Sequence, residues 1–250
     1  QRAINAGVSD NALVAGMCIA ISVPASLLPY DASAVTFNSA IRMFREGQLA
    51  DVFDVTAYGA DPAASLDSTP AFQAAVSACQ GNGGGVVWIP DGIFKITSAV
   101  LVSASNVRIQ GANKTTTEIR FTPTADGPCF KIDGSGVSVW DVTISHMSFT
   151  SLNTSFKKEM IRGVDVRRFT VEFVVSSDGL WNGAGSYGLR LFGRDWITVR
   201  NCWFAADQPL KIEVNPNLAS NALDFATFKD TQFAVQSGIS NYNVEMADGV

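Results

Sequence analysis

The sequence has few of the residues from which most metal and nucleophilic catalytic centres are built. It contains one histidine, His146, and four cysteines (Cys18, Cys79, Cys129 and Cys202) that lie at least 50 residues apart and form no CxxC pair. This pattern excludes a structural zinc site, and any Ser-His-Asp or Cys-His group would have to be built around His146. We expect reduced thiols that fill apolar space, and no cofactor.

Charge is also scarce, and positive charge most of all. Charged residues make up 16% of the 250 residues, and 18 Lys and Arg against 23 Asp and Glu give a net charge of −5. A protein that binds nucleic acid by neutralising phosphates needs the opposite balance, so this class is excluded. Hydrophobic residues reach 47% of the chain, which predicts that much surface is buried.

The sequence has no uninterrupted apolar run long enough for a membrane span. The longest, residues 12–28, is broken by Gly16, Ser22 and Pro24 and falls short of the ~20 residues required. We interpret residues 1–50 as a partly helical N-terminal segment that docks on another protein, and an ordinary core segment is the alternative. Residues 51–250 form the second predicted domain.

A clear helix signal opens this second domain. The run Asp67–Pro70 offers small polar capping residues followed by proline at the first helical position, and Phe72, Ala75, Val76 and Cys79 then share one face. The glycines of residues 81–85 end the helix, and the apolar pattern becomes typical of short strands. We predict a helix over residues 67–80.

The strand-like remainder of the chain repeats. Ile144, Val171, Val199 and Phe228 occupy equivalent places in similar runs, at intervals of 27, 28 and 29 residues. A repeat of this length with strands of three to five residues is typical of a parallel β-helix, in which turns must stack to bury their apolar faces. Leucine-rich repeats are the competing solenoid, but their LxxLxL pattern is absent.

Five sequence elements in a fixed order carry a family resemblance. They are residues 55–61 (VTAYGAD), 67–76 (DSTPAFQAAV), 83–94 (GGGVVWIPDGIF), 109–111 (IQG) and 117–119 (TEI). In this order they resemble the N-terminal pectate lyase and rhamnogalacturonase-type domain of the pectate-lyase-like superfamily. The resemblance implies an all-β, right-handed parallel β-helix with an N-terminal capping α-helix that covers the open edge of the first turn.

The superfamily includes polysaccharide lyases, glycoside hydrolases and bacteriophage tailspikes, so the resemblance leaves the function open. The NTD, DD, HG and RIK motifs of secreted pectinolytic members and their clusters of calcium-binding aspartates are absent, and we attribute the similar residues 210–213 (LKIE) to chance. Tailspikes that resemble this domain are homotrimers with an attachment segment ahead of the β-helix. Residues 1–50 fit that arrangement.

We therefore favour a phage tailspike or tail fibre, located in the virion tail. It would bind tail or baseplate proteins through residues 1–50 and would recognise or degrade bacterial surface polysaccharide. The alternatives are a secreted polysaccharide lyase or glycoside hydrolase, and a β-helix tail protein with a purely structural role. Because residues 243–246 begin like a new turn with no polar cap after them, we expect the native chain to continue beyond Val250.

Two aspartates are candidate catalytic residues. Asp178 and Asp207 lie seven and eight residues after the anchors Val171 and Val199, so they occupy similar places in successive turns. With turns about 4.8 Å apart, their carboxyl groups would be separated by roughly 5 to 10 Å, which suits acid/base cleavage of a glycosidic bond. Ordinary turn residues are the alternative interpretation.

Candidate polysaccharide-binding residues form a basic window. It contains Lys157, Lys158, Arg162, Arg167 and Arg168. An anionic capsule or lipopolysaccharide would bind these cations, and a solvated loop with internal ion pairs is the alternative.

Four aromatic residues could stack on sugar rings. They are Trp181, Tyr187, Trp196 and Trp203, of which Trp196 and Trp203 lie beside strand anchors and are expected in the core.

Overall fold

The computed structural model describes residues 51–151, 155–176, 181, 185–193, 195–213, 225–235 and 244–246. The predicted docking segment, residues 1–50, lies outside the described residues. Within the described ranges no helix is both long enough and apolar enough to cross a membrane.

More than half of the described residues lie in β-strands, and most of these strands are arranged in three parallel ladders. Strands are numbered in chain order. The first ladder runs through β1 (Val52–Asp54), β3 (Gly85–Ile89), β6 (Val107–Gly111), β10 (Thr143–Thr150), β13 (Thr170–Ser176), β15 (Ile197–Arg200) and β18 (Ala226–Lys229).

The second ladder runs through β2 (Ala63–Asp67), β4 (Gly92–Ile96), β7 (Thr117–Phe121), the later halves of β10 and β13, β16 (Trp203–Ala206) and β19 (Gln232–Val235). The third runs through β5 (Val100–Val102), β8 (Gly127–Asp133), β11 (Lys158–Val164), β14 (Tyr187–Phe192), β17 (Gln208–Glu213) and β20 (Val244–Met246). Two short strands, β9 (Val139–Trp140) and β12 (Val166–Arg167), pair separately. The chain is thus a parallel β-helix of about five turns, which confirms the predicted fold class.

The strand register confirms the predicted repeat. Ile144 pairs with Val171, Val171 with Val199 and Val199 with Phe228, and Ile109 extends the same column towards the N-terminus. Ile109, Ile144, Val171 and Val199 are fully buried, whereas Phe228 in the last of these strands is 38% exposed. Each turn therefore buries its anchor against the equivalent residue of its neighbour.

The capping helix α1 (Thr69–Gly81) begins close to its predicted start, and of the predicted capping residues it is Asp67 whose side chain caps the first turn. The Asp67 carboxylate accepts hydrogen bonds from the backbone N–H of Thr69 at 3.0 Å and from its hydroxyl. Ser68 caps nothing in the helix and instead accepts from the Asp61 backbone N–H at 3.0 Å. A short 3₁₀ helix, η1 (Val55–Tyr58), precedes it.

Helix α1 closes the N-terminal end of the solenoid in two ways. Its predicted apolar face, which includes Phe72 and Val76, is fully buried against the first turn. The amide side chain of Gln73 donates to the backbone carbonyl of Leu101 at 3.0 Å and accepts from the Leu101 N–H at 2.8 Å, so it pairs with strand β5 as a neighbouring strand would. Gln80 accepts from the Ser103 N–H at 2.7 Å in the same manner. The open edge of β5 is thereby satisfied.

Aromatic rings fill the interior along the solenoid axis. Phe72 of the helix contacts Phe130 (centroids 6.4 Å apart), Phe130 contacts Phe149 (5.8 Å), and Phe149 contacts Trp181 (6.4 Å), which also stacks on Phe121 (6.0 Å). These contacts link the cap to the fourth turn through one continuous core.

The chain bends sharply just before four of the first-ladder strands (β6, β10, β13 and β15), at a place we call the first corner. The residues at this bend lie three positions before the stacked anchors, have positive φ and are exposed to solvent: Asn106 (64°), Asp141 (57°), Arg168 (49°) and Trp196 (56°). Left-handed backbone is tolerable for Asn and Asp and costly for larger residues. The corner therefore presents a column of outward side chains whose identity the core does not determine.

Gly111 lies where two neighbouring turns approach each other closely, and a substitution there tests this contact. A Cβ atom there would lie 2.1 Å from the backbone carbonyl oxygen of His146 in the next turn. We expect Gly111→Ala to lower the free energy of unfolding by about 3 kcal/mol through overpacking, as measured by urea denaturation. Gly81→Ala, where a Cβ meets nothing within 4 Å, is the matched control and should change stability by less than about 1 kcal/mol. Equal stability of the two variants would contradict this prediction.

Candidate functional site

The predicted aspartate pair is only half described. Asp178 lies outside the described residues. Asp207 lies in the turn between β16 and β17, where its Oδ2 accepts a hydrogen bond from the Gly185 backbone N–H at 2.7 Å and its own N–H donates to the Trp181 carbonyl at 3.2 Å. Asp207 thus joins two neighbouring turns, and its catalytic role remains a prediction.

The structure separates the five residues of the predicted basic window. Lys158 is fully buried in β11, with its ammonium nitrogen 5.6 Å from the centre of the Trp181 ring, and this desolvation lowers its pKa to about 8. Lys158 therefore belongs to the core and offers nothing to a surface ligand. Lys157 is exposed beside Gly185, and its backbone N–H donates to Asp126 at 3.0 Å.

Arg162 belongs to an ion cluster on the outer face of the third ladder. We define the third-ladder ion cluster as Glu159, Arg162, Arg190, Lys211 and Glu213. Arg162 pairs with Glu159, while Arg190 bridges Glu159 at 2.9 Å and Glu213, which Lys211 also approaches at 3.4 Å. Only 5% of the Glu159 side chain is exposed, so its charge depends on the two guanidinium groups.

The protonation equilibria of the cluster follow from these contacts. Partial burial alone would raise the pKa of the Glu213 carboxyl, but the hydrogen bond and charge of Arg190, together with Lys211, outweigh burial and lower that pKa. Desolvation of Arg190 is likewise outweighed by Glu213 and Glu159, which raise its pKa. Both shifts favour the charged forms, so the Glu213 carboxyl is not poised to donate a proton at neutral pH.

Arg167 and Arg168 lie at the first corner, away from the third-ladder ion cluster. Both guanidinium groups cover the ring of Trp140, at 4.7 Å and 5.0 Å from its centre. Arg168 also pairs with Asp141, and Arg167 lies 3.7 Å from Asp195. These stacked, paired side chains hold a fixed arrangement on an otherwise solvated bend.

An open cleft of about 460 Å³ lies beside this bend, which we call the corner cleft. It is lined by Arg168, Thr170, Trp196 and Thr198. Trp196 is 51% exposed and is supported by Phe225, whose ring is nearly parallel at 6.5 Å. The cleft therefore combines an open aromatic face, two threonines and a guanidinium, which are groups that bind the apolar face and the hydroxyls of a sugar.

The structure reverses the expectations for three tryptophans. Trp181, a predicted stacking residue, is fully buried, whereas Trp196 and Trp203, expected in the core, are about half exposed. The Trp181 ring lies in the interior, where it packs against Phe121 and Phe149. Trp196 points outward because it occupies the first corner. Trp203 points outward because it pairs with Val175, which occupies an outward position of β13.

Sequence reasoning also missed residues that build the two surfaces, above all Trp140 and Arg190. One usable signal was present for the corner. The residue three positions before the anchor is polar before Ile144 and Val171 (Asp141 and Arg168), which indicates an outward position for the equivalent Trp196.

The strand pairing defines this chain as a parallel β-helix protein, and a known family model matches part of it. Residues 52–139 match the model of the rhamnogalacturonase A/epimerase, pectate lyase-like family. The predicted resemblance to the pectate-lyase-like superfamily is thereby confirmed over this segment. No curated protein matches the sequence.

Three solved structures are similar to this chain. The chain is similar to the Geobacillus virus E2 protein ORF18 (19% identity, TM-score 0.51, covering 81% of this chain and 44% of that one). It is also similar to PfbA, a surface adhesin of Streptococcus pneumoniae (16%, 0.49, 72% and 57%), and to the Dettilon tailspike protein (12%, 0.49, 79% and 40%). The chain thus spans about half the length of these proteins, and the likeness to the viral protein shows a shared fold.

The ion cluster predicts a pH-dependent contribution to stability. The pKa of Glu213 is lower in the folded chain than in the unfolded one, so its charge stabilises the fold above the unfolded value of about 4.3, and this contribution is lost as the pH falls through the folded value. We expect Glu213→Gln to lower the free energy of unfolding by about 2 kcal/mol at pH 7, with the difference disappearing in acid.

Urea denaturation of both proteins across this pH range measures the effect. Asp141→Asn, which breaks the exposed pair with Arg168, is the control and should cost less than about 1 kcal/mol. A difference between wild type and Glu213→Gln that persists unchanged below pH 3 would show that charge is not its source.

Proposed function

We propose that this chain is the β-helix part of a bacteriophage tailspike or tail fibre that recognises bacterial surface polysaccharide. The corner cleft is the observation that carries the proposal, because an exposed tryptophan beside threonine hydroxyls and a guanidinium suits a pyranose ring. The viral origin of ORF18, which shares the fold, supports a phage source. The overall charge of −5 speaks against a nucleic-acid ligand.

The proposal includes an attachment role for residues 1–50 and a homotrimeric assembly in the virion tail. The apolar composition of the chain supports both, since interfaces with tail proteins and with two further copies would cover surface that a monomer exposes. The alternatives remain a secreted polysaccharide lyase or glycoside hydrolase and a purely structural tail protein. They differ in measurable ways, because a structural protein binds no polysaccharide and an enzyme releases soluble products.

Binding at the corner cleft is tested by removing its aromatic face. We expect the purified chain to bind at least one member of an array of bacterial capsular polysaccharides and lipopolysaccharide O-antigens. Trp196→Ala should weaken that binding at least tenfold, because stacking of a ring on an aromatic side chain contributes about 1–3 kcal/mol. Trp203→Ala removes an equally exposed tryptophan outside the cleft and should bind as wild type does. Absence of binding to the whole array would favour the structural alternative, and equal effects of the two variants would exclude the cleft.

The catalytic proposal for Asp178 and Asp207 needs a separate test. Asparagine at position 207 can still accept from the Gly185 N–H through its side-chain oxygen, so Asp207→Asn should keep the turn while abolishing acid/base function. If the chain depolymerises a bound polysaccharide, we expect each of Asp178→Asn and Asp207→Asn to reduce the rate by about 100-fold or more, measured as new reducing ends or unsaturated products. Glu172→Gln, on the outer face of the first ladder, is the charge-matched control. Full activity of both asparagine variants would refute the pair.

A further inference from the structure

The N-terminal end of the second ladder is an exposed strand edge. Strand β2 pairs with β4 on one side, and no other strand of the described ranges pairs with its second side. Four of its five residues are exposed, and Leu66 is 68% exposed. An open edge that carries an exposed apolar residue is a template for pairing with another chain. Copies of this chain therefore stay apart only if the edge of β2 is protected.

A single residue binds the backbone donors of this edge. The Asp61 carboxylate accepts a hydrogen bond from the Ala63 N–H at 2.9 Å through Oδ1. Its Oδ2 accepts from the N–H groups of Ser65 and Leu66, at 2.7 and 2.8 Å. The backbone carbonyl of the same residue accepts from the Ala64 N–H at 3.3 Å. All four N–H groups of residues 63–66 are thus bound within the loop, and none is left for an external strand.

The edge is further blunted by a cation and by its own irregular backbone. The Lys95 ammonium group on β4 donates to the Ser65 carbonyl at 3.3 Å. The register between β2 and β4 shifts between Ala63 and Asp67, and Ala64 has a φ of 57°. A shifted register and a left-handed residue bend a strand away from the straight geometry that a second strand needs.

The Asp61 carboxylate is fixed in this position by the loop that follows it. The Asp61 N–H donates to the hydroxyl of Ser68 at 3.0 Å, and Ser68 is fully buried. The N–H groups of Ala63 and Leu66 are the main reason that the pKa of the Asp61 carboxyl lies below its usual value. The side chain therefore remains a charged acceptor at neutral pH.

We propose that Asp61 closes the N-terminal end of the second ladder against strand addition by a second copy of this chain. Two β2 edges that meet would form a symmetric antiparallel pair, in which each edge offers the same donors and acceptors to the other. That pairing requires the N–H groups that Asp61 occupies. Removal of the carboxylate exposes a self-complementary edge with the apolar Leu66 on it.

The third ladder shows the same kind of closure at the same end of the solenoid. Gln73 and Gln80 of helix α1 bind the edge of β5, as Asp61 binds the edge of β2. On both ladders a side chain takes the place of the missing turn. The inference does not depend on the proposed function. Failure of polysaccharide binding leaves edge closure intact, and failure of edge closure leaves the corner cleft intact.

Sedimentation velocity of the whole chain over a series of protein concentrations tests the proposal with Asp61→Ala. Asp126→Ala is the matched control, because the Asp126 carboxylate also accepts a backbone N–H in an exposed turn, from Lys157 at 3.0 Å. The strands that follow these two residues, β8 and β11, are paired on both sides. The control therefore removes a similar hydrogen bond without opening an edge.

We expect the wild type and Asp126→Ala to keep the same mass at every concentration. Asp61→Ala should form a species of twice that mass, whose share rises with concentration, because its two edges pair symmetrically. Thermal melts check that the variants fold. Sedimentation of folded Asp61→Ala that matches the wild type at every concentration overturns the inference.

A second variant separates strand addition from simple contact between apolar side chains. Asp61→Ala/Leu66→Pro keeps an apolar residue at the edge but removes a backbone donor, because proline has no N–H. We expect this variant to sediment as the wild type does. Doubling of mass that persists in it overturns strand addition as the mechanism.

Hydrogen exchange of the wild type tests the closure without any substitution. We expect the Ser65 and Leu66 amides to exchange more slowly than those of an unstructured peptide, although both residues are exposed, because Asp61 binds them. Exchange as fast as in such a peptide overturns the inference.

Discussion

Stacking of equivalent residues in successive turns, one strand spacing apart, is the interaction on which the rest of the structure depends. No single turn can bury its own apolar face, so the column of Ile109, Ile144, Val171 and Val199 exists only because each turn supplies the surface for the next. The same rule leaves an unpaired edge at the first turn. Helix α1 covers both the apolar face and the unpaired edge of the first turn. Phe72 packs into the core, and Gln73 completes the hydrogen bonding of β5.

The need to bury stacked apolar residues explains why much of the fold could be predicted from the sequence. The anchors of the first ladder recur at 27 to 29 residues, and the predicted pairs Ile144–Val171 and Val171–Val199 are the observed ones. A stacked column tolerates only apolar residues of similar size, so its period is visible in the sequence. The capping helix was equally readable, because Pro70 and a one-sided apolar pattern identify a helix without reference to the rest of the chain.

The candidate surfaces could not be predicted in the same way. Along the third ladder, the paired cations are separated by 31, 28 and 21 residues, because the segments between turns differ in length. No fixed period aligns Lys131 with Arg162, Arg190 and Lys211. The alignment of these four residues is therefore visible only when the strands are paired. The prediction for Lys158 was wrong for a related reason. Its position next to Lys157 in a basic window suggested exposure, but the side chain points inward from the strand.

Stacking does not determine the outward residues, and these differ between the first corner and the outer face of the third ladder. At the first corner, Arg168 and Trp196 adopt left-handed backbone, which costs more for these residues than for the Asn or Asp found in earlier turns. On the third ladder, like charges face one another across strands. Both choices oppose stability where Asn and Thr would serve the fold better, and local departures of this kind are concentrated where a protein meets its ligand. These departures lie at the first corner, beside the open cleft, and on the outer face of the third ladder, where the stacked core does not determine which residue is present.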